Sequence, residues 1–216
     1  MKIDIFCSDE EHPISPWLKS WCSKNEFLHE SRILSCKKNL KSGDILFLVS
    51  CTEIIPVDLR KLYRYCITLH ASDLPAGRGW SPHIWSILEG ATVITVSALN
   101  AEDRVDTGDV WAKKTFSVKQ HEIYDEINTS LFEVEIELLD EVIRMVEGGV
   151  EPFSQDSQGA TYYPRRKPHD SELDPNLTIT EQFDKLRVCD PSRYPAFFKI
   201  YGKTYTVIIK KEKRDE

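Results

Sequence analysis

A histidine and a carboxylate carry the clearest chemistry in this sequence. His70 stands in LHASDLPAGRG, residues 69–79, where an imidazole, a hydroxyl, a carboxyl, a proline and two glycines crowd together. An imidazole titrates near neutrality and can take or give a proton. His70 therefore suits general acid–base work, although a strand-end histidine also serves purely structurally. Asp106 follows in NAEDRVDTGDVW, residues 100–111, a loop dense in carboxylates and glycine. Such a carboxylate, brought against the ring, would orient it and stabilise its charged form. DTGD alone is a common loop sequence, so its weight comes from the partner it would meet.

The elements that must bring the two together are legible as alternating apolar runs and amphipathic segments over the first 110 residues. KIDIFC (2–7), DILFLVS (44–50), YCITLH (65–70), TVITVSAL (92–99) and DVWAKKTFSV (109–118) read as strands. SPWLKSWCSK (15–24), PVDLRKLY (56–63) and SPHIWSILEG (81–90) read as helices, two of them opened by Ser-Pro. The pattern predicts a doubly wound, Rossmann-like α/β sheet, with His70 at the carboxyl edge where open α/β folds place ligands. The helix and strand after His70 are expected to return Asp106 to that same edge. Ile123, Ile127, Leu131, Val134, Leu138, Val142 and Met145 mark one long helix, stopped by Gly148-Gly149.

A catalytic domain over 1–150 and a small C-terminal extension over 151–216 follow from these signals. The extension reads as a polar, mostly extended connection, then a segment, 178–190, that contains a Thr178/Glu181 capping box and a short helix. A hairpin turning at Gly202-Lys203 and a frayed tail, KEKRDE, complete it.

The formal charge of −7 and a pI near 5.5 argue against a bulk nucleic-acid surface. Six cysteines without a C-x-x-C pair read as reduced core thiols, and no segment reads as a signal peptide or membrane span, so a cytoplasmic location is expected. The histidines lack tight ligand spacing, and no metal is expected.

His70 with ASDLP, then RGWSPHIW, then VDTGD, resembles the folate-dependent formyltransferase family. That family includes methionyl-tRNA formyltransferases, glycinamide ribonucleotide transformylases and sugar N-formyltransferases. The likeness continues through GGVEPFSQDSQGATYYPRR and LDPNLTITEQFDKLRVCDPSRYPAFFKIYGKTY, and covers roughly residues 40–210. It implies 10-formyltetrahydrofolate as donor. A neutral primary amine would attack the formyl carbon while His70 stabilises the developing oxyanion or shuttles the proton. Asp106 would orient His70 and help remove the amine proton, directly or through water, and loss of tetrahydrofolate would complete transfer. The family's usual Asn two residues before the His is Thr68 here. Losing such an oxyanion donor costs about 10²–10³ in rate, so the Thr68 hydroxyl or another donor must replace it.

The same resemblance places folate between LVSCTEIIP (48–56) and the backbone from Leu99 to Asp106. Ser50, Cys51 and Ile54 are the side chains of the first wall, with strand-end packing as their alternative role. A nucleotide-linked 4-amino-4,6-dideoxy sugar is the expected acceptor, because the extension is short and the chain acidic where a tRNA enzyme needs basic surface. Within the family the chain most resembles the pseudaminic-acid-pathway type, with UDP-4-amino-4,6-dideoxy-N-acetyl-altrosamine as acceptor and a dTDP-4-amino sugar as the close alternative. Arg78 and the patch Tyr163, Arg165, Arg166 and Lys167 are candidates for the nucleotide and its phosphates, and Trp80 and His83 for the pocket wall. A solvated linker face would explain RRK equally, and core packing the tryptophans. Other readings are a methionyl-tRNA-type or other amine formyltransferase, a formyltetrahydrofolate hydrolase, and a folate-binding relative without turnover. A homodimer is compatible with the sequence.

Overall fold

The computed structural model describes residues 1–212. Its centre is a six-stranded sheet of β1 (Lys2–Phe6), β2 (Glu30–Leu34), β3 (Gly43–Leu48), β4 (Tyr63–His70), β6 (Val93–Asn100) and β7 (Val110–Ser117), in the order β2-β1-β3-β4-β6-β7. The first four strands of that order are parallel, and β6 and β7 are antiparallel to their neighbours. The α/β class is as expected, and the bounds of the expected strands move by one or two residues. β2, a strand of mixed polarity with no fully buried residue, is not among the strands read from the sequence.

Both faces of the sheet are covered, which explains the near-continuous apolar runs of β1 and β3. Ile3, Ile5, Ile45, Phe47 and Ile67 pack on one side, against helices α1 (Ser15–Asn25), α3 (Pro82–Leu88) and α4 (Tyr124–Glu147). The alternate residues Phe6, Leu46 and Leu48 pack on the other, beside Leu59 of the short α2 (Val57–Arg60). In α4 the predicted stripe of Ile127, Leu131, Val134, Leu138 and Val142 is buried, and the helix stops as the glycines require. Gly149 takes φ 68°, and Val150 N–H closes back on the Met145 carbonyl at 2.9 Å.

One expectation about the route to Asp106 is corrected. β6 runs antiparallel to β4, with His70 opposite Ser97 and Ala101 N–H bonded to Cys66 O at 2.8 Å. The chain therefore leaves β6 level with the middle of β4, away from His70. Residues 101–109 have to fold back to deliver Asp106.

Beyond α4 the connection is less extended than the sequence implied. β8 (Tyr162–Tyr163) pairs with β5 (Arg78–Gly79), and β9 (Glu172–Leu173) joins β10 (Ala196–Ile200) and β11 (Lys203–Val207) in a small sheet. Thr178 and Glu181 form the expected reciprocal cap, with Thr178 N–H donating to Glu181 Oε2 at 2.8 Å. The short helix expected after it is α5, Phe183–Arg187. The hairpin turns at Tyr201-Gly202 and not at Gly202-Lys203, both turn residues having positive φ (51° and 70°), as a type I′ turn demands. All six cysteines are free, but Cys36 is exposed, so the core-thiol reading does not extend to it. Most of the KEKRDE tail lies outside the described residues. No helix among the described residues is long and apolar enough to cross a membrane.

Candidate active site

His70 ends β4 and is 7% exposed. Its Nε2 lies 2.9 Å from the Gly77 carbonyl, and its Nδ1 lies 3.5 Å from Asp106 Oδ1. A carbonyl oxygen can only accept, so Nε2 carries a proton and donates it to Gly77. Nδ1 then faces the Asp106 carboxyl group, which is placed to orient the ring.

Asp106 is fixed from three sides. Its Oδ2 accepts the Gly79 N–H at 2.8 Å, its backbone adopts φ 56°, and its carbonyl accepts Gln155 Nε2 at 3.2 Å. The same Gln155 amide reaches Gly108 O at 2.5 Å, while Gln155 Oε1 accepts from Arg78 Nη2 at 2.9 Å. Two glycines are required by close approach. A Cβ on Gly79, whose φ is 100°, would stand 2.4 Å from Tyr163 O, and one on Gly108 would stand 2.0 Å from Asn100 O. Without them the loop that carries Asp106 could not close on β5.

A cavity of roughly 450 Å³ opens around this pair, a size suited to a small organic ligand. It has two dissimilar halves. One is lined by Leu48, Ser50, Cys51, Ile54, Ile55, Leu99, Asn100, Ala101, Glu102, Val105 and Asp106, and by Thr68, which lies opposite Leu99 on the neighbouring strand. Arg60 ties the α2 end of this slot to the loop through the Ala101 carbonyl and the Asp103 carboxylate. The other half is lined by His12, Trp80, His83, the α4 face and Arg166, Asp190, Arg193 and Tyr194 from the C-terminal region. Ser50, Ser81 and Asp106, three non-glycine residues with positive φ, all border the cavity, the kind of backbone strain that collects at functional sites.

Ten of the fourteen candidate residues line this cavity: His70, Asp106, Thr68, Ser50, Cys51, Ile54, Leu99, Trp80, His83 and Arg166. Arg78, Tyr163, Arg165 and Lys167 lie outside its lining. Arg78 is buried beneath the loop, against Gln155 and the Tyr162 ring. Tyr163 stacks on Trp85 and bonds Glu89, and Arg165 covers the Trp80 ring at 4.6 Å. The backbone N–H of Lys167 donates to Asp170 at 2.6 Å.

Gln155, His12 and Glu135 escaped the sequence reading. Gln155 lay in a segment that looked like polar linker. Glu135 had one available signal: it shares a helix face with Ile127 and Leu131, where a core residue was due. It is 5% exposed, and burial pushes its carboxyl up to about 8. Burial likewise lowers His83 to about 4, aided by the nearby charges of His70 and Arg166. His12 falls to about 4 through burial and then Arg193.

The curated methionyl-tRNA formyltransferase of Bacillus licheniformis is 29% identical over 167 residues, covering 76% of this chain and 52% of that protein. The chain thus spans about half the length of the curated relatives it matches. Among solved structures, HypX from Aquifex aeolicus in complex with tetrahydrofolic acid superposes with a TM-score of 0.81 at 23% identity, covering 94% of this chain and 36% of the other. A 4-N formyltransferase from Francisella tularensis superposes with a TM-score of 0.73 at 20% identity, covering 99% and 98%. The formyl transferase family matches residues 11–143, including His70, Asp106 and the slot beside them. By that match the chain belongs to the formyl transferase family.

Proposed function

We propose that this chain transfers a formyl group from 10-formyltetrahydrofolate to the amine of a nucleotide-linked 4-amino-4,6-dideoxy sugar. The observation that carries this reading is the His70–Asp106 pair, which lines a cavity of roughly 450 Å³ together with the strand-end residues Ser50, Cys51 and Leu99 and the C-terminal Arg166 and Arg193. Leu48, Ile55 and Leu99 offer flat apolar walls to a pterin ring, and the irregular backbone of 101–106 offers polar edges beside them. The residues present therefore fit the folate, which supplies the formyl group when bound. The tetrahydrofolic acid held by HypX supports the same assignment.

In this reading the pair takes up the proton that the acceptor nitrogen must lose, with Asp106 held in place by Gly79 N–H and by Gln155. The hydroxyl of Thr68 serves as the donor toward the carbonyl oxygen under attack, the role of the family's usual amide. Arg166 and Arg193, at the second half of the cavity, suit the phosphates of a nucleotide. Residues 1–150 form the catalytic unit, and the extension 151–216 completes the acceptor half through Arg166, Arg193 and Tyr194.

A sugar acceptor is supported by the acidic chain and by the Francisella tularensis neighbour, which matches along nearly its whole length. The second reading, formylation of charged initiator tRNA, draws on the methionyl-tRNA formyltransferases among the relatives. A panel of nucleotide-linked 4-amino sugars and methionyl-tRNA, incubated with donor and weighed by mass spectrometry, separates them. Gain of one formyl mass on a sugar supports the proposal; gain on the tRNA alone replaces it with the second reading.

A further inference from the structure

The wall of the cavity contributed by α4 contains one residue that core packing does not explain. Ile127, Leu131 and Glu135 lie on one helix face and all line the cavity. Glu135 is nine-tenths buried, and its Oε2 has no hydrogen-bond partner among the described residues. An unpartnered buried carboxyl costs folding free energy that a leucine at the same place would not. Two more polar groups face the same space. His83 lines it with an Nδ1 that is buried and unpartnered. His12 lines it with Nδ1 accepting the Ile14 N–H at 3.2 Å, which leaves its Nε2 as a donor, and its ring packs against Phe132 on α4.

We infer that Glu135, with His12 and His83, forms the floor of the acceptor subsite, where its carboxyl hydrogen-bonds a hydroxyl or amide group of the sugar ring. This inference rests on the sugar-acceptor reading above and assigns the residue that distinguishes one sugar from another. Burial favours the uncharged form of all three groups. A floor of neutral donors and acceptors among Leu131, Ile127 and Phe132 suits a neutral polar group and not a phosphate or a carboxylate. Arg166 and Arg193 line the same half, near enough to His83 and His12 for their charges to favour the neutral imidazoles, and are the groups that would meet phosphates. The arrangement also explains why an acid is retained on a helix face that otherwise packs the core: the ligand supplies the partner that the protein lacks. Sites that reserve buried polar groups for a ligand reject analogues missing the complementary group.

The test uses the whole chain with dTDP-4-amino-4,6-dideoxyglucose and UDP-4-amino-4,6-dideoxy-N-acetyl-altrosamine as probes. Glu135→Leu is expected to raise the KM of the preferred sugar about tenfold or more, a loss typical of a missing polar contact. Binding of 5-formyltetrahydrofolate, a stable donor analogue, should change less than twofold, and the melting temperature should not fall. Glu135→Gln, which keeps a donor and an acceptor in the same shape, should raise KM less than threefold. A deoxy analogue of the sugar that loses the Glu135 partner should have a raised KM in the wild type and no further rise in Glu135→Leu. An unchanged KM in Glu135→Leu, with sugar turned over, overturns the assignment of Glu135 alone. If Glu135→Leu fails to fold, the decision passes to the wild type and Glu135→Gln. Equal KM values for every deoxy analogue in both proteins then overturn the assignment. A wild type that formylates neither probe overturns the sugar reading and this inference with it.

Discussion

Gln155 grips the backbone of the loop that carries Asp106 from one side while its Oε1 is held by Arg78 Nη2 at 2.9 Å. Arg78 expected as a phosphate ligand and Gln155 expected as linker thus form one brace, whose product is the 3.5 Å approach of Asp106 to His70. Neither lines the cavity; both position Asp106, which does. Gln155→Leu should lower kcat about tenfold while acceptor KM changes little, because a misplaced carboxylate is felt in the transition state. Steady-state kinetics alongside a thermal melt check this. A loss confined to the melting temperature would make the brace purely structural.

His70→Asn and Asp106→Asn should each lower turnover by about two orders of magnitude or more with folate binding retained, since proton handling acts in the transition state. Folate titration and single-turnover rates measured on the same samples separate chemistry from binding. Near-normal turnover in either variant removes that residue from the mechanism.

Thr68 lines the cavity and pairs across the sheet with Leu99. Thr68→Val keeps its volume and removes its hydroxyl, and should reduce kcat about tenfold to a thousandfold with little change in substrate binding. Thr68→Asn restores the family's usual amide and should retain activity if the space beside Leu99 admits it. Wild-type turnover in Thr68→Val would leave Thr68 as a strand residue only.

The buried groups His12, His83 and Glu135 also make stability depend on pH. His12 and His83 titrate at about 4 when folded against an ordinary 6.5, so the unfolded chain binds their protons more tightly and stability rises with pH between about 4 and 6.5. Glu135 titrates at about 8 against an ordinary 4.5, so the folded chain holds its proton and stability falls with pH between about 4.5 and 8. Each proton contributes a slope of up to roughly 1.4 kcal/mol per pH unit. The two histidines outweigh the one carboxyl below 6.5 and fall silent above it, so these groups place a maximum near 6.5. Urea unfolding at pH 5.5, 6.5 and 8 checks it: Glu135→Gln should flatten the decline from 6.5 to 8. Parallel declines in the two proteins would mean that Glu135 is ionised in the folded state.

Five of the six strands of the main sheet, the long helix and the residues His70 and Asp106 were legible because each rests on local signals: β-branched runs, a helical stripe, and a motif whose spacing resembles a family. What could not be read depends on contacts across the chain. The antiparallel course of β6 leaves no mark in its own sequence, since a strand buried on both faces looks alike in either direction. Gln155 and Arg78 meet only because β5 pairs with β8, two-residue strands too short for any periodicity. Glu135 was legible only as an acid where the helical stripe calls for a core residue, and the cavity that accounts for it is assembled from α3, α4 and the C-terminal region.

The central claim is group transfer at the His70–Asp106 pair, and one stoichiometry tests it most directly. With 10-formyltetrahydrofolate in excess, tetrahydrofolate release and formylated amine are followed in the same reaction, with and without the amino sugar. The account predicts one formylated amine for each tetrahydrofolate released, almost no release without the amine, and loss of both signals in Asp106→Asn. Tetrahydrofolate and free formate appearing at the same rate whether or not amine is present would contradict it, and would make the chain a hydrolase.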